Sequence, residues 1–146
     1  MKVLVVCTAN ICRSPYAAAA LAQRLPALDV CSAGVQASSG RAVDAVMAGY
    51  AVERGYRDLS THRSQPVLAA LLRACDLVLC MERAHRDILL GGAPMMTGRI
   101  RTFLEAPARD VADPTGLRVV DYAQAVAEIE AGIDVWAERI RRIGPL

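Results

Sequence analysis

Neither sign of charge is in excess in this chain: seventeen Lys and Arg face fifteen Asp and Glu, for a formal net charge of +2. A protein that grips nucleic acid regardless of sequence carries a basic excess along one face, so the bulk charge points to no nucleic-acid partner. Long hydrophobic runs are missing as well. Runs such as Val3 to Cys7 and Ala17 to Ala22 fall short of the roughly 18 residues that cross a bilayer, which argues against a membrane partner. A lone Lys2 and a short apolar run before Thr8, with Val6 ahead of Cys7, do not make a signal peptide, and the expectation is a cytoplasmic protein. There is no internal repeat and no low-complexity tract. The five cysteines, at 7, 12, 31, 75 and 80, form an odd set. That set fits a reducing compartment and requires an explanation for each thiol.

What is present is apolar material, 54% of 146 residues, enough for the core of one domain spanning 1–146. Lys2 to Val6 is a β-branched run ending at Thr8-Ala9-Asn10, a buried strand entering a loop. Ser14-Pro15 supplies an N-cap and a first-turn proline for an Ala-rich helix over Tyr16 to Leu25, stopped by Pro26. A second strand over Asp29 to Ser32 is followed by a Ser/Gly loop and a helix over Ala42 to Arg54. A helix over Val67 to Ala74 runs into a third strand, Asp76 to Cys80, then a charged helix over Glu82 to Leu90 broken by Gly91-Gly92-Ala93-Pro94. Arg99 to Phe103 is a weaker fourth strand, and Glu105 to Gly116 reads as a loop. In the last helix Val119, Tyr122, Val126, Ile129, Ile133, Trp136, Ile140 and Ile143 form an apolar stripe at helical spacing. The pattern predicts a single three-layer α/β domain: a four-stranded parallel sheet with helices on both faces and a phosphate loop after strand 1. Ligands of such folds bind beyond the strand C-termini, where Cys7 falls.

The loop Cys7-Thr8-Ala9-Asn10-Ile11-Cys12-Arg13-Ser14-Pro15 joins the first strand to the first helix. An isolated cysteine at a buried strand end is most often a small hydrophobe. Here an arginine follows after five intervening residues, then a hydroxyl, on a strand-to-helix turn. Such a turn aims backbone N–H groups and the positive helix end at one centre, and Arg13 adds a planar fork for two oxyanion oxygens. A cysteine at the bottom of that bowl favours thiolate over thiol and sits below any phosphorus bound there.

This C-T-A-N-I-C-R-S-P loop after an N-terminal strand resembles that of the low-molecular-weight protein-tyrosine phosphatases. The resemblance runs on through Ser32-Ala33-Gly34, His62 in Ser60-Thr61-His62, Cys75 to Glu82 over strand three, and Asp113-Pro114 before the last helix. It implies that Cys7 is the nucleophile, Arg13 binds phosphate and Asp113 is the general acid. Thr8, Ala9, Asn10, Ile11, Cys12 and Ser14 then complete the phosphate loop, and Asn10, Ser14, Ser32 and His62 form its supporting hydrogen-bond network. No metal and no cofactor is implied. The implied substrates are a phosphotyrosine protein or a small phosphomonoester, with a tyrosine kinase as counterpart.

Two rivals stay open: a thioredoxin-coupled arsenate reductase on the same fold, and a cysteine phosphocarrier of similar topology. The reductase needs two further exchanging thiols on a mobile segment, whereas Cys75 and Cys80 bracket a strand. A carrier needs a long-lived thiophosphate, which an Asp113 acid/base would discharge. Were residues 75 to 80 extended, the two sulfurs would lie about 16 Å apart on opposite faces, unable to share a metal ion. Cys12 lies in the loop beside Cys7, where the resemblance implies a reversible Cys7–Cys12 disulfide. His85, among Glu82, Arg83 and Arg86, reads as part of a solvated face. Aromatics are few, one Trp, one Phe and four Tyr, and the family's substrate-flanking aromatics are missing after Gly34 and after Pro114. Tyr16, Tyr50 and Tyr56 are the nearest substitutes. Phosphoarginine-cleaving relatives carry Thr where this chain has Ile11.

Overall fold

In the computed structural model, which describes residues 1–143, the β-branched run at the N-terminus forms the central strand β1 (Lys2–Cys7). Residues 144–146, the end of the expected 1–146 domain, lie outside the described residues. The chain continues through α1 (Arg13–Arg24), β2 (Asp29–Gly34), α2 (Ala45–Glu53), α3 (Ala69–Ala74), β3 (Leu77–Cys80) and α4 (Arg83–Gly92). It ends with β4 (Ile100–Thr102), a hairpin of β5 (Leu104–Glu105) and β6 (Ala108–Arg109), and the long helix α5 (Val119–Ile143). The main sheet is parallel with strand order β2-β1-β3-β4. β1 therefore has β2 on one side and β3 on the other. Its C-terminal end opens where the chain changes direction across the sheet, the crevice in which parallel α/β folds hold ligands.

Strand alternation divides the core in two. Val3, Val5, Leu77 and Leu79 face α1, α2 and α5, while Leu4, Val6, Val78 and Cys80 face α3 and α4. Ala17 to Ala20 of α1 are buried, and with no longer side chains to separate the elements α1 packs closely against β2 and α5. The α5 stripe is buried at Tyr122, Val126, Ile129, Ile133, Trp136 and Ile140, each large apolar side chain contributing roughly 1.5–3 kcal/mol. Its ends, Val119 and Ile143, are exposed. Glu130 of α5 accepts the hydroxyls of both Tyr16 and Tyr56, fastening α1 and the chain beyond α2 to the last helix.

Some local expectations are corrected. Ser14 does not cap α1: the N-cap is Cys12, with no side-chain capping bond, and Ser14 lies inside the first turn with its hydroxyl turned to Cys7. The second helix begins only at Ala45, where the Asp44 carboxylate accepts the Met47 N–H. The expected loop at Glu105 to Gly116 contains the β6 half of a hairpin, whose two-residue strands are too short to show periodicity. Cys75 and Cys80 pack into the same core layer, on the α3 and α4 side of the sheet, because Cys75 ends α3 and a bend at Asp76 separates it from β3.

Candidate active site

The loop from Cys7 to Arg13 curls so that its ends meet. Asn10 adopts the left-handed conformation, φ 58°, which asparagine tolerates better than most residues. That turn brings the Asn10 N–H to 3.3 Å from Cys7 Sγ. Gly34 makes room for the curl: a Cβ there would lie 2.5 Å from the Thr8 carbonyl oxygen and 2.9 Å from the Asn10 nitrogen. The chain after β2 extends the pairing onto the loop, Val35 N–H donating to Cys7 O at 3.0 Å and Gln36 N–H to Thr8 O at 2.9 Å.

A directed hydrogen-bond relay holds the curl. The Gln65 N–H donates to Asn10 Oδ1 at 3.0 Å, and Asn10 Nδ2 donates to Ser14 Oγ at 2.8 Å and Ser32 Oγ at 2.9 Å. The Ser14 hydroxyl lies 3.0 Å from Cys7 Sγ, and toward a thiolate, which can only accept, it is the donor. The Asn10 carbonyl can only accept, so His62 carries its proton on Nε2 and donates across 2.7 Å. Cys7, Asn10, Ser14, Ser32 and His62 thus form one connected group. The Asn10 N–H and the Ser14 hydroxyl thus both reach Cys7 Sγ in a buried setting.

Arg13 is almost fully buried, 1% exposed. Its Nη1 donates to Glu82 Oε2 and to the Val111 carbonyl, both at 2.6 Å, and its Nη2 reaches Thr8 Oγ1 at 3.3 Å. Its Nε is buried without a partner. The Nη1 corner is thus tied down while the Nε and Nη2 edge of the fork is left with an orphan donor. A carboxylate from the end of β3 and a carbonyl from the Asp113 segment fix its direction.

Asp113 lies at the mouth with its side chain 47% exposed, and its Oδ2 is 3.8 Å from Arg13 Nη2. Its Oδ1 accepts from the Thr115 N–H at 3.1 Å and the Thr115 hydroxyl at 2.7 Å. The hollow is lined by Cys7, Ala9, Ile11, Cys12, Arg13, Asp113 and Thr115, with no aromatic side chain. Tyr16 and Tyr56 are committed to Glu130, and Tyr50 lies under Arg54 with 5.7 Å from guanidinium to ring centre.

His85 overturns the solvated-face expectation. It is 3% exposed. The Glu82 N–H donates to its Nδ1 at 3.1 Å, so the neutral ring carries its proton on Nε2, which donates to Thr8 Oγ1 at 2.9 Å. Burial holds its pKa below the ordinary histidine value; Glu82 opposes that and Arg13 adds to it. Glu82, His85 and the Val111 carbonyl are contributions the sequence reading missed. The signal available was the spacing Glu82-x-x-His85 at the start of a helix that follows a strand C-terminus.

The comparisons with known proteins agree with this geometry. The family model described as low molecular weight phosphotyrosine protein phosphatase matches residues 2–144. The probable low molecular weight protein-tyrosine-phosphatase EpsP of Ralstonia nicotianae is 37% identical over 97% of this chain and 97% of its own. Among solved structures, Vibrio vulnificus Wzb in complex with benzylphosphonate is 33% identical with TM-score 0.88, covering 94% of this chain and 97% of its own. The YwlE arginine phosphatase from Geobacillus stearothermophilus is 32% identical with TM-score 0.88, covering 97% and 93%. The chain belongs to the low molecular weight protein-tyrosine phosphatase family. It is a phosphatase on that family's α/β fold.

Proposed function

We propose that the chain hydrolyses phosphotyrosine in proteins through a cysteinyl-phosphate intermediate, without metal or cofactor, in the cytoplasm. The observation that carries this reading is the buried Arg13 whose Nε has no partner, beside Cys7 Sγ at the uncapped start of α1. The first N–H groups of a helix lack intrahelical acceptors, and buried donors demand partners. A tetrahedral oxyanion supplies them.

In the first step Cys7 Sγ bonds to phosphorus in line as the ester P–O bond breaks, and Asp113 gives its proton to the departing oxygen. Oδ1 already accepts two hydrogen bonds, so the transferable proton belongs on Oδ2, the oxygen nearer Arg13. In the second step water oxygen bonds to phosphorus, the S–P bond breaks and Asp113 takes the water proton. Arg13 and the loop N–H groups stabilise the equatorial oxygens throughout. Thr8, Ala9, Ile11 and Cys12 shape the phosphate loop, while Asn10, Ser14, Ser32 and His62 hold its curl.

Benzylphosphonate in the Vibrio protein supports an aryl substrate. The similarity to an arginine phosphatase makes phosphoarginine the comparison substrate, and Ile11 in the hollow, where phosphoarginine-cleaving relatives carry Thr, favours the aryl ester. A tyrosine kinase is the enzyme class that would supply the substrate. The test is phosphate release in EDTA from p-nitrophenyl phosphate, a phosphotyrosine peptide and a phosphoarginine peptide. Cys7→Ser and Arg13→Ala should abolish turnover, and Asp113→Ala should slow it about 10²-fold or more. No release by the reduced parent protein would shift the assignment to arsenate reduction or phosphate carriage. Preferential release from phosphoarginine would overturn the substrate.

A further inference from the structure

The loop that carries Asp113 is bound within itself by the Thr115 contacts and by the Leu117 N–H, which donates to the Pro114 carbonyl at 2.9 Å. A bond out of it runs from the Gly116 N–H to the Tyr122 hydroxyl oxygen at 3.1 Å. Tyr122 belongs to the first turn of α5 and is 4% exposed, so its ring is anchored in the core. Its hydroxyl donates to Asp44 Oδ2 at 2.9 Å. A carboxylate oxygen can only accept, which leaves the phenol oxygen as acceptor for Gly116. Asp44 is itself held on two further sides. Its Oδ1 accepts the Met47 N–H at 3.0 Å, and its own N–H donates to the Ile11 carbonyl of the phosphate loop at 2.6 Å.

The chain Ile11–Asp44–Tyr122–Gly116 therefore spans from the segment that holds phosphate to the segment that carries the acid, through two buried or half-buried side chains. We infer that Tyr122 and Asp44 are positioning residues for Asp113, fixing the distance between its carboxyl and the phosphate loop. The inference rests on the general-acid reading of Asp113. Proton donation in the transition state is worth about 10²–10⁴-fold and depends on heavy-atom approach within hydrogen-bond reach. A half-exposed carboxyl on a short loop reaches that geometry reproducibly only if the loop is tied to something rigid. Thr115 fixes the carboxyl relative to its own loop; Tyr122 and Asp44 fix that loop relative to phosphate.

Tyr122→Phe removes one oxygen and keeps the ring in the core. The experiment compares kcat/KM, which reports the P–O cleavage step, for phenyl phosphate and p-nitrophenyl phosphate. Phenol is the poorer leaving group and needs the proton more. Tyr122→Phe is expected to lower kcat/KM about tenfold for phenyl phosphate and less than about threefold for p-nitrophenyl phosphate. Asp44→Asn preserves a good N-cap for α2 but lacks a second acceptor oxygen, so it should give the same selective loss, with no further loss when combined with Tyr122→Phe. In an Asp113→Asn background, Tyr122→Phe should change neither substrate by more than about twofold. Equal slowing of both substrates, or the full loss persisting in that background, would show a general structural role and overturn the inference. If Asp113→Asn is selective for leaving group and Tyr122→Phe is not, the inference alone falls. If Asp113→Asn itself shows no selectivity, the general-acid reading falls and takes the inference with it.

Discussion

Cys7 and Cys12 belong to one curled loop, yet their sulfurs meet different surroundings. Cys7 Sγ lies 3.0 Å from the Ser14 hydroxyl and accepts the Asn10 N–H. Burial pushes the Cys12 thiol up to about 12, with the charges of Asp44, Asp113 and Cys7 adding to the rise and the Thr115 hydroxyl opposing it. The Cys7 sulfur should therefore be the first to attack peroxide, breaking its O–O bond, taking up one oxygen and releasing the other as water; the Cys12 sulfur then displaces the oxygen from Cys7 as water and closes a disulfide. Because only the Cys12 thiolate attacks, closure should quicken about tenfold per pH unit between roughly 7 and 9, below the value of its thiol. After peroxide, dithiothreitol should restore the parent, and Cys12→Ser should recover a smaller fraction because its Cys7 oxidises further. Equal recovery would remove the protective role of Cys12. At this scale the loop was legible because the groups that converge on Cys7 Sγ, the Asn10 N–H and the Ser14 hydroxyl, are near neighbours in sequence. His85 was not. Its surroundings in sequence are those of a solvated face, and its partner Thr8 lies 77 positions away.

Among the elements, β1 and α5 were readable because a β-branched run and a long 3.6-residue stripe are strong periodic signals. Ser14 was misassigned for a physical reason. Its hydroxyl is withdrawn from capping and spent on Cys7, leaving α1 uncapped toward the hollow. The hairpin of β5 and β6 carries too few residues to announce a period. Gly34 shows how an element end constrains the site. Its Cα faces the Thr8 carbonyl and the Asn10 nitrogen, both backbone atoms that cannot swing aside. Gly34→Ala should force β2 and the phosphate loop apart, costing about 1–3 kcal/mol of stability and a larger share of activity than stability. Denaturant unfolding and phosphate release on the same variant check this. An unchanged kcat/KM would mean the loop can shift without losing its geometry.

Over the whole molecule, the alternation of strands and helices was enough to place a parallel sheet with helices on both sides and the loop after strand 1 at its C-terminal edge. What the sequence did not display are the links closed by folding: Arg13 to Glu82 and Val111, Tyr122 to Asp44, His85 to Thr8. Each joins segments whose proximity depends on the complete fold, so their effects appear in global stability. His85 offers the clearest measurement. Burial keeps it neutral in the native protein below the pH at which an ordinary histidine takes up a proton. The unfolded chain then binds one more proton than the native one, and stability falls as pH drops from about 6.5 toward the depressed native value, below which the loss levels off. Each unit of that depression is worth about 1.4 kcal/mol. His85→Gln removes the titration, so its deficit against the parent should be largest near pH 7.5 and narrow as pH falls to about 5. That window lies above the range in which carboxylates titrate, which isolates the histidine. Urea unfolding of both proteins at several pH values reads the difference directly. A deficit that stays constant across the window would mean that His85 protonates alike in the folded and unfolded chain, and that its bonds to Glu82 and Thr8 do not depend on its being neutral.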